Sequence, residues 1–299
     1  MKMLPDLSRS TIQALNNLWM IVCITLIIIL PFALFVGLLL KSTLLLESYP
    51  LLDLVFGKEW KPNAGKFGFF PFIAGSIWVT VISLIIAGPI CLLTAIYVTQ
   101  YSKKYILRIF HPIIDILAGI PSVVYGLWGL LVIVPFISDY IGHLLHVKTM
   151  GYSILAGAIV LAVMIIPFIL NIMIEIYRSI PLELSEASLS LGATKWQTIK
   201  FVLSKKAFPG ILAALGFGLA RAFGETMAVL MVVGNVVKIP HNPLEPGYTL
   251  PALIANNYGE MLSIPKYDSA LMFAALILLM VSLVSNLVMH FFIVKYTKY

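Results

Sequence analysis

Charge is scarce in this chain. Asp, Glu, Lys and Arg make up 11% of its 299 residues, where a soluble domain carries roughly a quarter. Hydrophobic residues make up 61%, and the mean hydropathy is +1.01. These values exclude a water-soluble globular fold. Cysteine is nearly absent: Cys23 and Cys91 both fall in apolar runs, with no C-x-x-C or His neighbour, and read as packing residues. No G-x-x-x-x-G-K-[ST] segment occurs, so there is no recognisable P-loop for nucleotide. No Ser/His/Asp or zinc-ligand constellation stands on a plausible site either. His143 and His146, spaced i, i+3, lack the two further ligands a zinc site needs and read as a solvated loop. The chain is expected to be no enzyme and to carry neither cofactor nor metal. A cleaved leader is not expected, because the first apolar run is too long for an h-region and no small-residue cleavage site follows it. Internal repeats and low-complexity tracts are also missing.

Long apolar runs are what the chain has. Six stretches can cross ~30 Å of hydrocarbon at 1.5 Å per residue: approximately Asn17–Leu40, Phe72–Thr99, Pro112–Ile137, Gly151–Ile174, Phe208–Val237 and Ser269–Val294. With the N-terminus in the cytoplasm, the inner segments hold twelve of the 20 Lys and Arg and the outer segments seven, while Arg221 lies within a span. The excess follows the positive-inside rule and places both termini in the cytoplasm. The net charge of +7 thus reflects topology and contact with the lipid bilayer. Nucleic acid is not an expected partner, since the basic residues are divided among loops and form no stripe. The external segment 41–71, with Trp60 and Phe-rich runs, reads as a linker on the membrane surface.

One polar stretch stands out, from Ser179 to Thr226. Pro181 suits a first helical turn, and Gly192 suits the left-handed position past that helix's end. Thr194 and Gln197 form a capping-box pattern that starts a second short helix. Further on, Arg221 and Glu225 are four apart within an apolar span, on one helical face and within reach of each other. Two readings are open: a salt bridge that fixes helix register, or a guanidinium facing a translocation path and an anion. Small residues at Ala214, Gly216, Gly218, Ala220, Ala222 and Gly224 predict close helix packing and a central position. Gly119-Ile120-Pro121-Ser122-Val123-Val124-Tyr125-Gly126, read within one membrane helix, means either close packing or a polar strip on a cavity.

The loop Glu186-Ala187-Ser188-x-x-x-Gly192, with Val202 ten further on, resembles the EAA loop of binding-protein-dependent ABC importer permeases. A finer match is to the phosphate permeases of that family. It is carried by Arg221-Ala222-Phe223-Gly224-Glu225-Thr226-Met227-Ala228-Val229, by Gly234-Asn235, by the 119–126 stretch, and by Thr249-Leu250-Pro251-Ala252-Leu253-Ile254-Ala255-Asn256. The wording Gly-Glu-Thr-Met-Ala-Val favours one of the two paired permease types over its companion. The similarity covers about residues 67–292. The loop departs from the pattern at Ser188, in place of Ala, and at Ser204-Lys205, in place of Leu-Pro. The second departure puts the bend into the fifth span in question.

The resemblance implies an all-α polytopic membrane protein of six transmembrane helices with a type I, MetI-like permease core. Residues 1–71 would be an N-terminal transmembrane helix and external segment. Residues 72–294 would be the core, with a cytoplasmic coupling loop at 175–206. It also implies a PstA-like second permease, a PstB-like ATPase dimer that hydrolyses ATP, and an extracytoplasmic phosphate-binding protein, in the bacterial plasma (inner) membrane. Arg221, Glu225, Thr226, Ser122 and Tyr125 would line the substrate path. Pro181, Glu186, Ala187 and Gly192 would couple to the ATPase. The alternatives are a permease for another oxyanion, such as sulfate or molybdate, and a non-ABC anion channel.

Overall fold

A computed structural model describes residues 9–147, 149–259 and 265–297. Its elements are α1 (Arg9–Ser48), α2 (Leu51–Phe56), the two-residue strands β1 (Trp60–Lys61) and β2 (Lys66–Phe67), α3 (Phe70–Tyr101) and α4 (Lys104–Gly119). They continue with α5 (Ser122–Leu144), α6 (Ile154–Arg178), α7 (Leu182–Ser190), α8 (Lys195–Gly224), α9 (Met227–Leu230), α10 (Leu250–Asn257) and α11 (Pro265–Thr297). Six of these helices are long and apolar enough to cross a membrane: α1, α3, α5, α6, α8 and α11.

Two spans differ from the sequence reading. The third does not run through Gly119-Ile120-Pro121. The ring of Pro121 pushes the residue before it out of the helical region, so Ile120 is extended (ψ 129°) and α4 ends as a separate amphipathic helix. The fifth span starts earlier, at Lys195, and stops at Gly224 instead of reaching Val237, because Glu225 is extended (φ −77°, ψ 124°). The capping box at Thr194 and Gln197 forms as expected. The helix it starts is not short, however: it passes through a π-helical segment, Thr198–Leu203, straight into the span. The helix does not break at Ser204-Lys205, and Pro209 lies inside it.

α6 is the most enclosed span. It packs on α3 and α8, and Leu161, Ile165, Ile169, Met173 and Ile174 on it are fully buried. Small residues let α8 sit between its neighbours, as the pattern predicts. A Cβ on Gly216 would lie 2.5 Å from Met289 on α11, and one on Gly218 would lie 2.4 Å from Ile169 on α6.

The 41–71 segment is not a surface linker. Leu45, Leu54, Phe67 and Phe69 share a buried cluster with Phe72, Leu250, Leu253 and Phe273. The Trp60 ring stands edge-on to Phe67, Phe69, Phe72 and Tyr267, with centroids 5.1–5.9 Å apart. The aromatic residues that suggest an interface by composition satisfy each other inside this cluster, an arrangement worth about 0.5–1.5 kcal/mol per ring pair beyond area burial.

Candidate functional site

The end of α8 sets the geometry. From Phe208 to Arg221 the helix climbs roughly 20 Å at 1.5 Å per residue, so Arg221 lies at hydrocarbon depth if the membrane begins near Phe208. Arg221 occupies the last turn, where a cation suits the helix's negative end. It is exposed on the chain's surface, with its guanidinium carbon 3.6 Å from the centre of the Phe168 ring on α6.

Arg221 and Glu225 do not form the expected pair. The helix ends between them, and among the described residues Arg221 makes no ion pair. The i, i+4 relation holds only while the backbone is helical. Glu225, half-buried, turns its carboxylate onto the chain: Oε1 accepts the Ala228 N–H at 3.2 Å and so starts α9. A register-setting salt bridge within one helix is therefore absent. Arg221 keeps its five donors free of carboxylate.

Beyond α9 the chain reverses at Gly234 (φ +94°) and Asn235 (φ +53°). Asn235 steadies the turn by donating from Nδ2 to the Leu230 carbonyl at 2.9 Å. The left-handed backbone explains this dipeptide, since Gly and Asn reach that region at least cost.

The α4–α5 break leads into a helix that packs just beyond the end of α8. α5 packs on α9, and a Cβ on Gly126 would sit 3.1 Å from Ala228 Cα. Ser122, at the start of α5, is half-buried, and its hydroxyl makes no hydrogen bond to the described residues. Thr226 is also half-buried, and its hydroxyl does not cap α9. Tyr125 differs from these: it is buried, and its hydroxyl donates to the Leu117 carbonyl at 2.8 Å, closing the break. The structure thus puts Ser122 and Tyr125 on the helix that packs against α9, which Glu225 and Thr226 precede, but it commits Tyr125 to the bend.

The sequence reading missed two groups here. Phe168, the platform under Arg221, carries no signal in the sequence. Thr249 shares a small cavity with Glu225, Ser76 and Thr80. A Thr just before Leu-Pro is a helix-start signal that could have drawn attention to it.

At the other end of α8 lies the 179–194 loop. α7 ends in a Schellman motif: the Gly192 N–H (φ +83°) bonds to the Leu189 carbonyl at 3.0 Å and the Ala193 N–H to the Ser188 carbonyl at 3.3 Å. That is the role expected of Gly192. Pro181 sits one position earlier than expected, at the N-cap. A hydroxyl contact of 2.9 Å between Ser188 and Thr198 ties α7 to α8. No residue of α7 is buried, and Leu182, Leu189, Leu191 and Trp196 stand exposed around Glu186 and Ala187. Among the described residues no cluster of His, Cys, Asp or Glu is arranged to hold a metal.

Residues 89–297 match the family described as binding-protein-dependent transport system inner membrane component. The chain is 38% identical to the probable ABC transporter permease protein YqgH of Bacillus subtilis, over 86% of this chain and 82% of that one. It is 36% identical to the phosphate transport system permease protein PstC of Xylella fastidiosa, over 76% and 74%. Among solved structures it is similar to a bacterial alginate ABC transporter in complex with alginate pentasaccharide-bound periplasmic protein. That match has a TM-score of 0.61, 16% identity and coverage of 93% of this chain and 94% of that one, a likeness of fold alone.

Proposed function

Because the chain belongs to the binding-protein-dependent transport system permeases, a multi-pass membrane family of ABC transporters, we propose that it is the membrane-spanning permease subunit of an ATP-driven importer of inorganic phosphate. The names of its PstC relatives support the substrate. The single observation that carries the mechanism is Arg221, a permanent cation in the last turn of a span-length helix, exposed and without a carboxylate partner among the described residues. A charge so placed costs ~2.5–3.5 kcal/mol on insertion scales and does not face lipid. It faces a wet path completed by a second, PstA-like permease.

Arg221 meets the anionic oxygens of phosphate in fork geometry, steadied on Phe168 by a cation–π contact. Phosphate at neutral pH keeps one or two protons and sulfate keeps none. Glu225 holds one oxygen on Ala228 and has acceptor capacity left for a P–OH group, while sulfate offers it only repulsion. Thr226 and Ser122 line the same path with unengaged hydroxyls. Because the site lacks a pre-formed salt bridge, phosphate need not displace a carboxylate to enter. Release then depends on rearrangement of the spans, a rigid-body switch between two packings.

A PstB-like ATPase dimer drives that switch from the cytoplasm. It seats the uncovered α7, with Pro181, Glu186, Ala187 and Gly192, in a groove, and the continuous α8 carries the motion from Thr194 to Arg221. An extracytoplasmic phosphate-binding protein loads the outer face. Nucleotide chemistry stays on the ATPase, and this chain needs no cofactor. Both termini lie in the cytoplasm of a bacterial inner membrane. The PstC-named relatives weigh against sulfate or molybdate as the cargo. Radiolabelled phosphate uptake by a strain lacking this chain, with and without a restored copy and with sulfate as control, tests the proposal. Phosphate uptake should depend on the chain and sulfate uptake should not.

A further inference from the structure

Glu225 faces a cavity of about 10 Å³ between α3, the end of α8 and the start of α10, with Ser76, Thr80 and Thr249 contributing its other polar groups. Thr249 immediately precedes α10 and is 3% exposed, and its hydroxyl has no partner among the described residues. A Thr at this position normally turns its oxygen onto the helix's first N–H groups. The first N–H of the helix is met from another element: Ser76 Oγ, on α3, accepts the Leu250 N–H at 2.9 Å while donating to the Phe72 carbonyl at 2.9 Å. Pro251 has no N–H to satisfy, and the Leu253 N–H bonds to the Thr249 carbonyl at 2.9 Å. The Thr249 hydroxyl makes no cap bond and lines the cavity beside a carboxylate. A buried hydroxyl without a partner is rare in native structures.

The cavity has about the space one water requires, roughly 10–15 Å³, and offers the two to four polar partners a buried water uses. It is far too small for a phosphate. We propose that it is a one-water site, and that its water accepts from the Thr249 hydroxyl and donates to the Glu225 carboxylate, making Thr249 a positioning residue for Glu225. The water's second hydrogen has the remaining lone pair of Ser76 Oγ within the same lining. With one oxygen on the Ala228 N–H and the carboxylate tethered through water to α10, Glu225 presents a fixed edge to the path. The inference rests on the reading of Glu225 as the group that separates phosphate from sulfate.

The test uses the whole importer in vesicles and reads phosphate and sulfate flux per ATP hydrolysed. The variants are Thr249→Val, which keeps the shape and loses the hydroxyl, Thr249→Ser, which keeps the hydroxyl, Glu225→Gln, and Thr249→Val combined with Glu225→Gln. Thr249→Val should raise the sulfate-to-phosphate ratio roughly fivefold, the scale of one lost hydrogen bond. Thr249→Ser should restore the wild-type ratio, and the double variant should not exceed Glu225→Gln alone. If Glu225→Gln shifts the ratio and Thr249→Val does not, the water bridge is overturned while the path reading stands. If Glu225→Gln shifts nothing, the path reading falls first and the bridge falls with it. Should Thr249→Val fail to assemble, high-resolution density of the wild-type complex decides: a water within hydrogen-bond distance of Thr249 and Glu225 supports the bridge, and a dry cavity overturns it.

Discussion

The guanidinium of Arg221 lies 3.6 Å from the centre of the Phe168 ring, while the carboxylate four residues further on, Glu225, holds the Ala228 N–H at 3.2 Å. One helix end separates two charges that the sequence spacing would pair. The cation is left for a ligand, and the anion is fixed by backbone and cavity.

Phe168→Leu keeps the volume apolar and removes the aromatic face. A cation–π contact of about 0.5–2 kcal/mol corresponds to a loss of roughly two- to thirtyfold in phosphate flux, with assembly intact. Arg221→Lys should lose more than Phe168→Leu, since an ammonium neither stacks nor binds oxyanions in fork geometry. Flux per assembled complex in reconstituted vesicles ranks the two.

Glu186→Lys and Gly192→Trp should leave the chain inserted and abolish ATP-coupled transport. A Cβ on Gly192 would meet no atom within 4 Å, yet the residue's φ is +83°, so any L side chain strains the Schellman turn and alters the docking face. Pull-down of the ATPase together with uptake checks this. Normal binding with full uptake removes α7 as the coupling element.

A thiol at Ser188 should react with membrane-impermeant reagents only from the cytoplasm, and one at Ala255 only from outside. Ala255 is the better outer probe because it is exposed, whereas neighbouring Asn257 is tied to Leu253, Tyr248 and Tyr267. Cys23 is exposed and is replaced first, while Cys91 is buried. Reversed labelling would overturn the orientation.

Gly75→Ala should destabilise the complex by about 1–3 kcal/mol, because the new Cβ would lie 2.4 Å from the Tyr248 carbonyl oxygen, a backbone atom that cannot step aside. Gly119→Ala, with nothing within 4 Å, is the control and should be near neutral. Thermal unfolding of the detergent-solubilised complex reads the difference.

Glu245 in the 238–249 segment is held below the usual carboxylate range by the His241 N–H and by Lys238, whose ammonium is 3.2 Å away. A depressed folded pKa contributes stability that is present at neutral pH and is lost as pH falls through the folded value. The protection of this segment's amides, measured as exchange relative to the intrinsic rate at each pH, should therefore fall on acidification below the normal carboxylate range, and Glu245→Gln should remove that dependence.

Much of the fold was legible because the bilayer imposes length and composition. Six spans, the cap at Thr194 and the stop at Gly192 all follow from local rules. What escaped depends on particular side-chain contacts that spacing and composition do not announce. Whether Gly224 continues a helix is decided by Glu225 engaging Ala228. Whether Ile120-Pro121 kinks or splits a helix is decided by Tyr125 closing on Leu117. Trp60 reads as interfacial until Phe67, Phe69, Phe72 and Tyr267 are seen around it. At the site, the charges announced themselves by their rarity, but their partners did not, because Phe168 is an ordinary residue in an apolar run and Thr249 stands in a recognisable stretch that does not say which group it faces.

The most direct measurement is ATP-driven uptake of radiolabelled phosphate into vesicles holding the whole importer, with wild-type chain or Arg221→Ala, and sulfate in competition. A path through Arg221 requires phosphate uptake that sulfate at equal concentration leaves unchanged, and a loss of more than about tenfold in Arg221→Ala, since a buried charge-assisted contact is worth at least ~1.5 kcal/mol. Full phosphate uptake through assembled Arg221→Ala, or sulfate carried as fast as phosphate, would contradict it.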